Sequence, residues 1–172
     1  MKLVFRRRTE EYTLELINPE EIDRSVEEIV KTETRGLLRD KNFLKRTLSD
    51  QESTITIVAK KKEELKGVIN GVAMRNQPIN PRITFVWVKD RESAIKGVPR
   101  MLIDRFSEEA RKRNPEASSI EVGLPTFDVD SITLYSMSGF LIQGFIRGTE
   151  ASQDIVIMRR ASGRKPQSTT VV

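Results

Sequence analysis

The feature that most constrains this chain is a change of apolar period near residue 54. From there Ile55, Ile57 and Ala59 alternate with Thr and Val, the polar run KKKEELKG interrupts, and an apolar stretch over 68–74 takes up the pattern again. Period two sends successive side chains to opposite faces, so both segments read as strands, and so short a polar connection makes them a hairpin. A loop punctuated by Pro78 and Pro81 leads to RITFVWV at 82–88. That run is β-branched and aromatic, which suits a central strand.

Helical signals flank these strands. Tyr12, Leu14 and Leu16 alternate with polar residues and predict a first strand near 11–17. Asn18-Pro19-Glu20-Glu21 then places Asn at an N-cap, Pro at the first helical position and Glu at the third. Ile22, Val26, Ile29 and Val30 form the buried stripe of that helix. A second helical stretch over 34–48 carries Leu37, Leu38, Phe43, Leu44 and Leu48 inside, with Arg35, Arg39, Lys41, Lys45 and Arg46 outside.

A third helix over 99–113 has Val98, Met101, Leu102, Phe106 and Ala110 on one face. Arg111-Lys112-Arg113 suit its C-terminal end, and Asn114-Pro115 stop it. A short helix over 131–137 would end at Gly139, and strands are expected at 119–124, 141–146 and 154–158. The order is β-α-α-β-β-β-α-β-α-β-β. Adjacent strands imply antiparallel pairs, and the helix between 88 and 119 implies one parallel crossover. The fold class is therefore α/β: a mixed, mostly antiparallel central sheet of about seven strands flanked by helices. Residues 1–162 read as one domain and 163–172 as a polar, disordered tail.

Composition removes several chemistries. With 172 residues and 37% apolar content the chain can bury a core, and no apolar run approaches the roughly 20 residues of a membrane span. The first dozen residues lack the apolar segment of a secretory signal. There is no cysteine, which excludes disulfides and thiol catalysis and fits a reducing cytoplasm. There is no histidine either, so neither a zinc site nor Ser-His chemistry is expected, and acid–base work falls to Glu, Asp, Tyr or Lys. Thirty basic against twenty-five acidic residues give a net charge of only +5. No stretch interleaves aromatic and basic residues in the manner of a single-strand binder, which argues against a nucleic-acid partner.

The stretch Asp128-Val-Asp-Ser-Ile-Thr-Leu-Tyr135-Ser-Met-Ser-Gly139-Phe140 resembles the Asn-x-x-Ala-x-x-Leu-Tyr-x-x-x-Gly-Phe motif of the GNAT superfamily, with Asp128 for Asn and Ser131 for Ala. Ala94-Ile-Lys-Gly97-Val-Pro99 is similar to that family's Gln/Arg-x-x-Gly-x-Gly/Ala phosphate loop: Gly97 matches, while Ala94 and Pro99 depart from it. The resemblance covers residues 10–160. It implies an N-acetyltransferase that moves an acyl group from acetyl-CoA directly to a small-molecule or peptide amine, with no metal.

Glu121, on the strand face opposite Ile120 and Val122, is the candidate base and could reach an amine through water, while the resemblance further implies Tyr135 as proton donor to the departing thiolate. It gives the strand backbone at Val86, Trp87 and Val88, through a bulge or splay, to the pantetheine arm. Lys96, Gly97, Val98, Arg100 and Met101 would take the pyrophosphate, and Asp128 would stand on the cofactor side. Each residue has a plainer reading. Tyr135 packs in the core, Glu121 is a solvated or salt-bridged surface group, Asp128 caps the following helix, and Phe85 and Trp87 are core. The basic face of the second helix would suit an acidic acceptor, and edge strands would allow a homodimer. Ala94 and Pro99 keep open a second function, a GNAT-like binding or regulatory module with weakened catalysis.

Overall fold

The computed structural model describes residues 12–33, 36–75, 77, 79–149 and 153–161. The expected tail at 163–172, Arg35 and the start of the first expected strand lie outside the described residues. Seven strands form one sheet: β1 (Thr13–Leu16), β2 (Thr54–Lys61), β3 (Glu64–Val72), β4 (Arg82–Val88), β5 (Ser119–Pro125), β6 (Leu141–Ile146) and β7 (Ile155–Ala161). Their spatial order is β1-β2-β3-β4-β5-β7-β6. Every pairing is antiparallel except β4 with β5, the one that the intervening helical crossover makes parallel. The β2–β3 hairpin turns on Lys62 and Glu63, at φ 50° and 64°. Two positive φ values match the right-handed strand twist, even though neither residue is Gly or Asn.

Helices cover both faces. A 3-10 turn at Pro19–Glu21 leads into α1 (Ile22–Thr32), and Glu21 reaches back to the Asn18 amide at 3.4 Å. The second helix is shorter than the sequence suggests. A 3-10 turn, Leu37–Arg39, precedes α2 (Lys41–Ser49), because the Asp40 carboxylate accepts from the amides of Asn42 (2.9 Å) and Phe43 (3.1 Å) and so fixes a helix start there. A five-residue helix, α3 (Arg91–Ile95), was not expected and is capped by Asp90. It precedes α4 (Val98–Arg113), and α5 (Val129–Met137) follows β5.

Two cores result. On one face Ile55, Ile57, Ile69, Ile83, Ile120 and Val122 meet Val98, Leu102 and Phe106 of α4, with Tyr135 and Phe140. On the other face Val58, Val68 and Trp87 meet Val26 and Ile29 of α1 and Leu44 and Leu48 of α2. Full burial of each such side chain contributes about 1.5–3 kcal/mol. Lys60 bonds both Glu15 and Glu21, tying β1, β2 and the first 3-10 turn together.

Helix α4 lies directly on β3 because two glycines let it approach. A Cβ on Gly67 would come within 3.0 Å of Leu102, and one on Gly71 within 2.5 Å of the Phe106 ring and 2.6 Å of the Arg82 carbonyl. A ring can turn aside, but a strand carbonyl cannot. Gly71→Ala is expected to cost about 1–3 kcal/mol or more, measured by urea unfolding. Gly123→Ala, whose nearest contact would be a side-chain methyl at 3.3 Å, should cost clearly less.

Candidate active site

The site begins at an irregularity in β4. Along β3 the register runs Val72↔Arg82, Gly71↔Ile83 and then Asn70↔Phe85, so Thr84 is an extra residue and forms a β-bulge. On its other side β4 pairs with β5 at Arg82↔Glu121 and Ile83↔Val122 only, and beyond these the strands part. Bulge and parting thus begin at the same residue. The opening is a cleft of about 270 Å³, walled by Thr84, Phe85 and Val86 on one side and by Val122, Gly123, Leu124 and Pro125 on the other. Leu38, Asp128, Ser131, Leu134 and Tyr135 complete it. The β4 backbone groups that face this opening have lost the strand that would otherwise bond them. They are the natural partners of an extended, amide-bearing chain.

Tyr135 enters the wall from α5. That helix starts where the Asp128 carboxylate accepts from the Ser131 amide at 3.1 Å, so Asp128 does cap it. It ends at Gly139, whose φ of +85° a side chain would disfavour. The chain then turns back so that the Phe140 amide donates to the Tyr135 carbonyl at 3.0 Å, and the two rings meet edge to face at 5.2 Å and 77°. Tyr135 is 3% exposed. Burial, and secondarily the negative charge of Asp128, push its phenol well above the usual value of 10. The phenol therefore keeps its proton at every ordinary pH. Among the described residues none accepts the hydroxyl hydrogen.

The Gly97 loop forms the N-terminus of α4. Gly97 has φ +85°, and a Cβ there would meet nothing within 4 Å, so glycine serves the backbone conformation rather than space. Hydrogen bonds within the loop decide which amides are free. Lys96 donates to the Glu92 carbonyl (3.0 Å), Gly97 to Ala94 (3.1 Å) and Met101 to Gly97 (3.0 Å). Proline 99 has no N–H. The amides of Val98 and Arg100 remain without an acceptor among the described residues, at the positive end of a 16-residue helix. The Arg100 side chain is exposed, and the Lys96 ammonium lies 2.8 Å from Glu92.

The expected β4 residues separate. Val86 lines the cleft and is half-buried, as is Val88 beside the α4 core. The Trp87 side chain points the other way, into the α1–α2 core, where its indole N–H donates to Thr32 Oγ1 at 3.2 Å. The Trp87 backbone is taken as well: Lys89 donates to the Lys66 carbonyl, and two residues back along the same antiparallel ladder Trp87 faces Val68 of β3, so the cleft side is left to the backbone of Val86 and Val88. Phe85 belongs to both: it packs on the α1–α2 core and lines the cleft.

Glu121 stands at the closed end of the opening, on the sheet face opposite Ile120 and Val122, and does not line the cleft. It is 8% exposed. Its Oε1 accepts from Asn80 Nδ2 at 3.0 Å and meets Arg159 Nε at 3.0 Å, while Oε2 meets Arg82 at 3.4 Å. Burial would raise its pKa, but the Asn80 hydrogen bond and the charges of Arg159 and Arg82 outweigh it and hold the carboxyl below the usual range. The salt-bridged reading of Glu121 is the one the structure shows. Of the basic residues on the second helix, Lys45 bonds Asp23 of α1 at 2.9 Å, on a wet surface.

Residues 11–154 match the family described as acetyltransferase (GNAT) domain. The chain belongs to the GNAT acetyltransferase family. Its fold is that of solved GNAT structures. The ribosomal-protein-S18-alanine N-acetyltransferase from Escherichia coli superposes with a TM-score of 0.72 at 12% identity, covering 93% of this chain and 99% of that one. A GNAT-family acetyltransferase from Streptococcus pneumoniae gives 0.68 at 18% identity, covering 89% and 100%. A spermidine N-acetyltransferase chimera from Vibrio cholerae gives 0.68 at 16%, covering 88% and 96%. No curated protein matches significantly.

Within this GNAT site, sequence reasoning missed Leu38, Thr84, Phe85, Val122, Gly123, Leu124, Pro125, Ser131 and Leu134 as cleft residues. Gly123, a glycine inside a strand, was the one available signal. Glu121 supplies a pH test. Because its folded pKa is depressed, the stability it contributes is present above the ordinary carboxylate range and is lost as pH falls through the folded value. Glu121→Gln should cost about 1–3 kcal/mol near pH 7. Urea unfolding at decreasing pH should show this difference shrinking below pH 4.5, the group's ordinary value.

Proposed function

We propose that this chain transfers an acetyl group from acetyl-CoA directly to an amine. The observation that carries the reading is the coincidence at Thr84 of bulge and strand divergence, opening a cleft with a buried, protonated tyrosine in its wall. The residues present fit the co-substrate. Free backbone of β4 at Val86 and Val88, which faces away from β3, suits the amides of a pantetheine arm. The amides of Val98 and Arg100, with the Arg100 and Lys96 side chains, suit a pyrophosphate at a helix N-terminus. Asp128 and Ser131 line the cofactor side of the cleft. Bound acetyl-CoA supplies an activated acyl thioester.

The chain's own part is positioning and one proton. Holding the amine against the acyl carbon makes the reaction effectively unimolecular. As the C–N bond forms and the C–S bond breaks, the Tyr135 hydroxyl would give its proton to the departing sulfur, and the proton that the acylated nitrogen releases would return through water to restore the phenol. Glu121 is held ionised by two arginines and is a weak base, acting through water at most. The neutral amine is then drawn from solution, so kcat/KM should rise with pH toward the acceptor's own pKa. In calorimetry the native chain should bind acetyl-CoA, and Arg100→Glu should weaken that binding. Tyr135→Phe should lower turnover roughly 10²-fold or more with affinity unchanged. Absence of binding at high micromolar acetyl-CoA would overturn the reading.

The amide that Pro99 removes favours a second reading, a binding or regulatory module. Tight acetyl-CoA binding without transfer to any of a panel of alkyl and peptide amines would select it.

A second copy of the chain is the partner proposed for β6. This edge strand carries no charge, and Leu141 (69%), Ile142 (50%), Phe145 (70%) and Ile146 (56%) are exposed on both its faces. Natural edge strands usually carry a charge or a proline there. Light scattering should report a dimer that Phe145→Lys converts to a monomer.

A further inference from the structure

The sheet and α4 enclose a second cleft, of about 420 Å³, at the end of α4 away from the Gly97 loop. Sixteen residues of helix, at about 1.5 Å each, separate the two ends by roughly 24 Å. We infer that this cleft binds a phosphate-type anion between the guanidinium groups of Arg75 and Arg113.

The charges around it are unevenly satisfied. The single carboxylate in its wall, Glu109, is already shared by Arg105 and Lys112, each at 2.9 Å. Among the described residues Arg113 bonds no carboxylate. Its Nη1 donates to the main-chain carbonyls of Thr54 (2.6 Å) and Glu52 (3.3 Å), which fix the orientation of the guanidinium without neutralising it. Arg75 makes no ion pair or hydrogen bond among the described residues and is exposed. The two cations sense each other: burial, and then the charge of Arg75, lower the pKa of Arg113, while Glu109 and Asp50 act in the opposite sense.

Two guanidiniums on one cleft with no carboxylate bonded to either form an arrangement that an anion relieves. Their planar forks favour an oxyanion over a halide. The other cation of the wall, Lys112, is already held by Glu109. Two guanidiniums carry two charges and more donors than a monocarboxylate's two oxygens can accept, so a tetrahedral dianion with three terminal oxygens matches them better. Leu16, 48% exposed, and Ile55 add an apolar wall, on which the organic part of a phosphate monoester can rest.

The test titrates ¹⁵N-labelled protein with inorganic phosphate and, separately, phenyl phosphate, at constant ionic strength set with chloride. Saturable amide shifts are expected at Thr54, Ile55 and Arg113. Arg75→Gln should weaken both ligands by roughly tenfold, the loss of one charge-assisted contact, and Arg75→Lys should recover part of it. Tighter binding of phenyl phosphate would assign the site to a monoester, and equal binding would assign it to free phosphate. Acetyl-CoA affinity should be unchanged in both variants, which keeps the outcome separate from the fate of the acetyltransferase reading. Shifts that fail to saturate, that chloride reproduces, or that persist at full strength in Arg75→Gln would overturn the inference.

Discussion

Strand β4 is held along its length on one side and released after two residue pairs on the other, and the remaining features of the site depend on that asymmetry. The bulge at Thr84 does two things at once. It bends the strand away from β5, and it shifts the side-chain alternation by one. In an unbulged strand Ile83, Phe85 and Trp87 would share a face. Here Ile83 packs under α4, whereas Phe85 and Trp87 pack under α1 and α2. Both cores therefore receive large side chains from one short strand, and the indole bond to Thr32 fixes the new alternation. A register without the bulge would send Trp87 against α4 and close the opening.

The absence of histidine leaves environment as the means of setting proton affinities. Two groups beside the opening are pushed in opposite directions, a phenol upward by burial and a carboxyl downward by an amide and two guanidiniums. They also lie on opposite sides of the sheet, since Tyr135 belongs to the α4 core and Glu121 alternates with Ile120 and Val122. An acyl donor threaded between β4 and β5 would meet the phenol from one face and an acceptor from the other. On the proposed reading the proton-donating role therefore falls to Tyr135, with Glu121 as fixed negative charge within an ion-paired cluster.

How much of this was legible in the sequence follows from which signals are local. The period change at 54, the stop at Asn114-Pro115 and the turn at Gly139 are short-range, and each appears in the structure within a residue or two. The tyrosine motif was legible for the same reason. Thr84 was not, because RITFVWV contains no glycine or proline to mark an extra residue and a bulge is defined only against the partner strand. The start of α2 was missed because the basic and apolar residues before Asp40 are helix-compatible, and only the Asp40 cap breaks the pattern. The five residues of α3 are too few to show a period. Leu38 reaches the cleft from a 3-10 turn, a position that no pattern in the chain marks.

Proline 99, the most conspicuous departure in the Gly97 loop, changes meaning once hydrogen bonds are traced. The amides of Gly97 and Met101 are spent on carbonyls within the loop, so they would not be available whatever stood at position 99. The proline therefore removes one donor from three, at 98, 99 and 100, and not one from five. Its ring fixes φ near the helical value at the second position of α4 and is itself buried against the core. The two amides that remain are held by a helix start that cannot easily fray, and Arg100 adds a formal charge at one of them. Fewer donors on a more rigid frame, with a cation beside them, is a workable anion site, because preorganised groups lose less entropy on binding.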